Sequence, residues 1–219
     1  MSKKKEKQQS QPGEAPLESP DTISGDGAAV EQQIAEERRR LGYALLQEGA
    51  RLLSQRRPGE AAEKLERAAE YLPDSAEVAI NLGGTYVLQK RYSKAVPLLE
   101  KASKLAPDDA MLWSNLAAAY LGRLEISGPK QQKKAIEAYE RALEINPRTP
   151  NVHYNLGLVY KDQKEWESAR SAFLNALEVY PNDNDAQYWL GKLDDYEQQE
   201  RRSGKNESTL SDQDREDYD

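Results

Sequence analysis

Apolar residues in the middle of this chain recur at helical spacing, and the spacing itself repeats. Ala61, Leu65 and Ala68 stand at i, i+4 and i+7, which is one face of a helix. The same triplet returns as Ala95, Leu99 and Ala102, as Ala135, Tyr139 and Ala142, and as Ala169, Phe173 and Ala176. Each triplet is followed by a proline, at Pro73, Pro107, Pro147 and Pro181, with separations of 34, 40 and 34 residues. Upstream of each triplet lies a second apolar pattern, fullest as Trp113-x-x-Leu116-Ala117-x-x-Tyr120 and repeated as Leu82-Gly83-x-x-Tyr86 and Leu156-Gly157-x-x-Tyr160. Each unit is therefore predicted to hold two helices of about 14 residues, a length only marginally stable alone in water. Such helices persist by packing on one another. The small residues Gly83, Ala117, Gly157, Ala102, Ala142 and Ala176 let helix axes approach, and the large residues fill the gaps between them. A proline after each second helix stops it and sets the unit boundary.

Residues 1–27 mix Lys, Gln, Ser, Pro, Gly and acids with hardly an apolar pair, so they are predicted to form a disordered arm. Residues 28–200 form the repeat region, with units at about 42–75, 76–109, 110–149 and 150–183 and a capping helix at 184–200 that repeats the first-helix pattern through Leu190-Gly191. Residues 201–219 are predicted to be a second, acidic, disordered tail. The first unit is degenerate, with Glu48 where the others have leucine and Leu52 where they have tyrosine. Ile34, Leu41, Leu45 and Leu52 carry its helical face upstream, an extension expected to cover the open end. The third unit holds six extra residues around Arg123–Lys130, where Ser127-Gly128-Pro129 reads as a helix break and restart with Pro129 in the first turn. The inserted turn is expected to protrude, either as a contact site or as a tolerated loop.

With Ala79 and His153 in place of tryptophan in two copies, these motifs resemble the tetratricopeptide repeat family, whose signature is W-x₂-L-G-x₂-Y, then A-x₃-F, then P. The resemblance covers about residues 42–183. It implies an all-α fold: a right-handed α-solenoid of four helix-turn-helix units plus a carboxy-terminal capping helix. It also implies that the first helices line a concave groove that holds a peptide or helix of another protein.

That geometry directs attention to the residue preceding each Leu-Gly or Leu-Ala: Asn81, Asn115 and Asn155, with Gln47 in the first copy. One position from the core-facing leucine is about 100° around the helix, so these amides form a stripe of their own. An amide offers a donor and an acceptor, which suits the backbone of an extended peptide. Gly84 and Ala118 leave room for that backbone, and Ile80, Met111, Leu121 and Tyr154 supply apolar contacts, with Asn151 one turn before Asn155. A similar asparagine ladder occurs in the repeat region of O-linked N-acetylglucosamine transferases, without implying their activity. The alternative is that asparagine merely caps or solvates the helix here. A carboxylate clamp needs Lys or Arg on the stripe. Tyr43, Gln47, Glu77, Asn81, Met111, Asn115, Asn151 and Asn155 include neither.

Composition narrows the function further. The absence of cysteine excludes disulfides, thiolate zinc sites and cysteine nucleophiles, and the one histidine, His153, sits at the tryptophan register as a packing residue rather than a ligand. No catalytic residue, metal site, cofactor or small-molecule substrate is expected, and abundant carboxylates are all that an enzyme would have to work with. Residues 194–219 hold ten Asp or Glu against four Lys or Arg, most of the net −7, and no basic stripe is available for nucleic acid. No apolar run reaches the ~18 residues of a membrane span, and Met1-Ser-Lys-Lys-Lys lacks the apolar stretch of a secretory signal, so the expected compartment is the cytoplasm. The leading expectation is a binding adaptor or scaffold whose partner is another protein. A structural subunit that self-assembles or bridges a larger complex is the alternative.

Overall fold

The computed structural model describes the backbone of residues 24–216 and the side chains of residues 27–200. The expected amino-terminal arm lies outside the described residues up to position 23. Every regular element among the described residues is helical. The α-helices are α1 (Ser24–Ser54), α2 (Pro58–Tyr71), α3 (Ala76–Leu88), α4 (Tyr92–Leu105), α5 (Ala110–Leu121), α6 (Pro129–Ile145), α7 (Val152–Asp162), α8 (Trp166–Val179) and α9 (Asn184–Glu216). The chain divides into two units, residues 1–40 and 41–219. The described part of the first is the beginning of α1, where Val30 and Ile34 are 55% and 52% exposed and Arg40 pairs with Glu36 along one face. Their apolar stripe is thus unburied there, and burial along α1 begins in the second unit at Gly42 and continues at Leu45, Leu46 and Leu52.

The second unit is the α-solenoid expected from the repeats, with α3/α4, α5/α6 and α7/α8 as successive helix pairs. Each alanine of the four pairs is buried, as are Leu65, Leu99, Tyr139 and Phe173. The small residue of each first helix is explained by what faces it. A Cβ added at Gly49, Gly83 or Gly157 would lie 2.5–2.6 Å from Leu65, Leu99 or Phe173 respectively, closer than carbon atoms pack. Three of the four units therefore press a bulky second-helix residue onto a bare stretch of first-helix backbone, and the third has Ala117 at that position.

Unit boundaries are built alike. The N–H of Leu72, Ala106, Asn146 and Tyr180 returns to the carbonyl of the second alanine, at 2.8–2.9 Å, and the next proline then ends the helix. The carbonyls of Pro107, Pro147 and Pro181 are taken up by Trp113 Nε1, His153 Nε2 and Gln187 Nε2 at 2.7, 2.9 and 3.0 Å. A carbonyl only accepts, so His153 carries its proton on Nε2 and acts here as a substitute for tryptophan. Within units the turn between helices passes through a left-handed residue, at Arg56, Lys90 and Lys164, and at Gly122 in the third unit.

The insertion in that unit is a short 3-10 turn, Leu124–Ile126, after which Pro129 opens α6 as expected. Ile126 is 74% exposed. Gln132 is buried and anchors the turn: its Nε2 donates to the Ser127 carbonyl and to Asp162, and its Oε1 accepts from Gln163. At the far end, Ala186 and Leu193 of α9 are fully buried against the last repeat, while Arg170 pairs with Asp194 at 2.6 Å. Glu200 accepts from Trp166 Nε1 and pairs with Lys164 at 2.7 Å. Helix α9 continues to Glu216, past the Glu200 at which the sequence pattern ends it. Residues 201–216 contain no proline and one glycine, Gly204, so nothing local stops the helix.

Candidate functional site

The amide stripe follows from the register of the first helices. Leu82, Leu116 and Leu156 point into the core, and the residue before each is turned away from it and only partly buried. Helix α3 packs beside α5, so stripe residues of successive units become neighbours. One such approach is between Asn115 and Gly84. A Cβ on Gly84 would sit 2.9 Å from Asn115 Nδ2, so this glycine makes room for the amide of the next unit.

Two cavities open on this stripe. The first, ≈ 420 Å³, is lined by Ile80, Asn81, Gly84, Val87, Leu88 and Met111, together with Leu53 and Asn115. Its walls are mainly aliphatic, and Leu88 and Met111 are 65% and 45% exposed. The second, ≈ 650 Å³, is lined by Asn151, Tyr154, Asn155 and Tyr180 together with Pro181, Asn182, Asp183 and Asp185. Seven of the nine residues expected in the groove thus line one cavity or the other. Gln47 is exposed and Ala118 half-buried, and neither lines these cavities.

The amides are not equivalent. Asn81 Nδ2 donates back to the Glu77 carbonyl at 2.9 Å. Asn155 hydrogen-bonds to the hydroxyl of Tyr139, whose ring is buried; burial pushes that phenol well above its ordinary range, and the Asn155 bond acts in the opposite direction. Asn155 therefore also satisfies a polar group in the core. In the second cavity, burial raises the Tyr154 phenol, a hydrogen bond with Trp189 opposes it, and Asp185 and Asp183 raise it further.

Sequence reasoning missed Leu53, Val87 and Leu88 in the first cavity and Tyr180, Pro181, Asn182, Asp183 and Asp185 in the second. One signal was present: Asp185 stands 34 residues after Asn151, on the same stripe, in a helix considered only as a cap. A second recurrence on the opposite side of the first helices also went unread. Each large second-helix residue at 65, 99 and 139 is followed by glutamate. Tyr86 donates to Glu66 at 2.8 Å and Tyr120 to Glu100 at 2.7 Å, and both phenols are pushed up to about 12, by burial first and by these carboxylates second.

Tetratricopeptide repeat profiles match residues 52–121 and 150–183, and a TPR repeat profile matches residues 130–164. The chain belongs to the tetratricopeptide repeat family. The matches break between 121 and 130, which is the inserted turn. No curated protein matches the chain. Among solved structures it is similar to MamA from Desulfovibrio magneticus RS-1, with 22% identity over 73% of this chain and 98% of that one at a TM-score of 0.54. It is likewise similar to YrrB, described as a TPR protein with an unusual peptide-binding site, with 22% identity over 80% and 84% of the two chains and a TM-score of 0.56. A third likeness is to the APC/C hetero-tetramer Cut9–Hcn1, at 21% identity and a TM-score of 0.63, over 70% of this chain and 30% of that chain. At such identities the likeness shows the fold. The tetratricopeptide solenoid is a protein-interaction module, and no described helix is long and apolar enough to cross a membrane.

Proposed function

We propose that this chain is a non-catalytic adaptor that binds an extended peptide of another protein along the first-helix stripe. The observation that carries the reading is that both cavities open on the stripe of Asn81, Asn115 and Asn155. An extended peptide exposes backbone groups at regular intervals, and amides at the mouths of side-chain-sized cavities meet both needs at once. Nothing in the reading requires a cofactor or a metal, and the partner is a protein rather than nucleic acid, membrane or a small substrate.

The test uses peptides selected from a random library displayed on phage, with the full chain immobilised. Selected peptides are titrated by calorimetry into the native protein and into Gly84→Leu, whose side chain intrudes on the first cavity and whose Cβ meets the flexible end of Asn115. Affinity is expected to fall about tenfold or more with the melting temperature preserved. Unchanged affinity for every selected peptide removes the groove from the reading. A sedimentation mass that rises with protein concentration in the absence of peptide would support the self-assembling subunit in its place.

A further inference from the structure

The joints between units differ in how they treat acidic residues. At the first joint Asp74 is paired with Lys101 at 3.0 Å, and at the second Asp108 is paired with Arg141 at 3.4 Å. At the last joint Asn182 stands where Asp74 and Asp108 do, while Asp183 and Asp185 line the 650 Å³ cavity with no basic side chain among its walls. Asp183 also caps α9, its Oδ1 accepting the N–H groups of Asp185 and Ala186 at 3.0 Å. Capping does not cancel the charge. A helix amino terminus contributes about +0.5 of an elementary charge, against two carboxylates, so the cavity remains negative by more than one charge. Two cations of the last unit are engaged elsewhere: Arg148 donates to the Val179 carbonyl at 3.5 Å, and Lys161 lies over the Trp189 ring, 4.5 Å from its centroid.

The rest of the lining has a matching chemistry. Tyr154 and Tyr180 present aromatic rings, whose faces attract a cation, and Asn151, Asn155 and Asn182 bring amide carbonyl groups that can accept N–H donors. The other cavity, two units away, has aliphatic walls and no charged residue in its lining. The groove therefore offers an apolar socket at one end and a negative, aromatic one at the other. This inference rests on the groove reading and names what the groove selects. We propose that the cavity at Tyr154, Tyr180, Asp183 and Asp185 receives an arginine or lysine side chain of an extended partner peptide, whose apolar side chain fills the cavity at Leu88 and Met111.

The same library selection tests it. The peptides recovered are expected to be enriched in Arg or Lys at one position over the unselected pool, and in an aliphatic or aromatic residue at another. The tightest peptide is then titrated into the native protein and into the double variant Asp183→Asn/Asp185→Asn. Asparagine at 183 keeps the helix cap, and a melting curve checks that the variant stays folded. The double variant is expected to bind at least tenfold more weakly. Replacing the basic residue of the peptide by methionine should cost a similar factor with the native protein and almost nothing with the variant. Recovered peptides without basic enrichment, or equal losses on both proteins, overturn the proposal, while the groove reading stands if Gly84→Leu still weakens them. If no peptide is recovered over a bare support, or if Gly84→Leu changes nothing, both fall together.

Discussion

Gly83 and Gly84 are adjacent in α3, yet the two lie on faces with opposite demands. A Cβ at Gly83 would meet fully buried Leu99 at 2.5 Å; one at Gly84 would meet the amide end of Asn115 at 2.9 Å. The first contact belongs to the packing face, where Leu99 is fully buried in one core cluster with Ala95, Leu82 and Leu116 and has little room to move. The second belongs to the groove face, where a partly exposed amide can turn aside. One step along a helix thus separates a site that tolerates almost no added volume from one that tolerates a good deal, because burial of the neighbour, and not the residue type, decides the cost.

The sharpest test of the packing face is Phe173→Ala, which removes the ring lying on Gly157 and is expected to cost about 3–5 kcal/mol in urea denaturation. Ala142→Leu and Gly83→Ala approach the same face from the other direction. Both add volume at buried contacts and should cost about 1–3 kcal/mol each. A Gly83→Ala midpoint equal to that of the native protein would mean that Leu99 does move, and the contrast with Gly84 would vanish.

Alkaline pH probes the side of the first helices that faces Glu66 and Glu100. Tyr86 and Tyr120 hold their protons up to about 12 in the folded chain, whereas unfolded tyrosine ionises near 10. The stabilisation is therefore complete below about pH 10 and is lost as pH rises towards about 12, because the unfolded chain gives up those protons first. Phenolate absorbance should show these two among the late-titrating tyrosines, which also include the buried Tyr139 and the raised Tyr154 and Tyr160. In Tyr86→Phe one of them should disappear and the fall in melting temperature above pH 10 should become shallower. The smallest effect is expected at Gly84→Ala, where the gain in helix propensity, at most about 1 kcal/mol, is set against a shift of Asn115; its denaturation midpoint should stay level or rise slightly.

The solenoid was legible because its determinants are local and repeated. Alanine at 61, 68, 95, 102, 135, 142, 169 and 176 and proline at 73, 107, 147 and 181 recur whatever the surrounding residues do. The amide stripe was legible for the same reason. What escaped notice depends on contacts between units. Tyr139 stands where other units have leucine or phenylalanine, and its buried hydroxyl requires a partner; only the fold brings Asn155 to it. Asp183 and Asp185 read in the sequence as an ordinary acidic helix start, and their place in a cavity depends on Tyr154 and Tyr180 arriving from α7 and from the end of α8. Gln47 differs from the other amides in its surroundings. It keeps the register of Asn81, but the first unit has Glu48 in place of leucine, held by Arg51 and Lys64 at 3.6 and 3.8 Å, and Gln47 is not among the residues that line the apolar cavity.

The neighbour-to-neighbour packing from α2 through α9 also bears on how the chain reaches its fold. Three of the four large residues find their glycine 16 residues away, Leu65 at Gly49, Leu99 at Gly83 and Phe173 at Gly157. Closing so short a loop takes well under a microsecond, and a topology of such contacts places folding at the fast end of the range for domains of this size. On the ribosome, each helix pair can therefore close soon after its second helix emerges, long before the acidic residues near 216 are synthesised. The apolar cavity, built from α1, α3 and α5, is complete once residue 121 is out, whereas the acidic one must wait for α9, so the two ends of the groove are born in sequence.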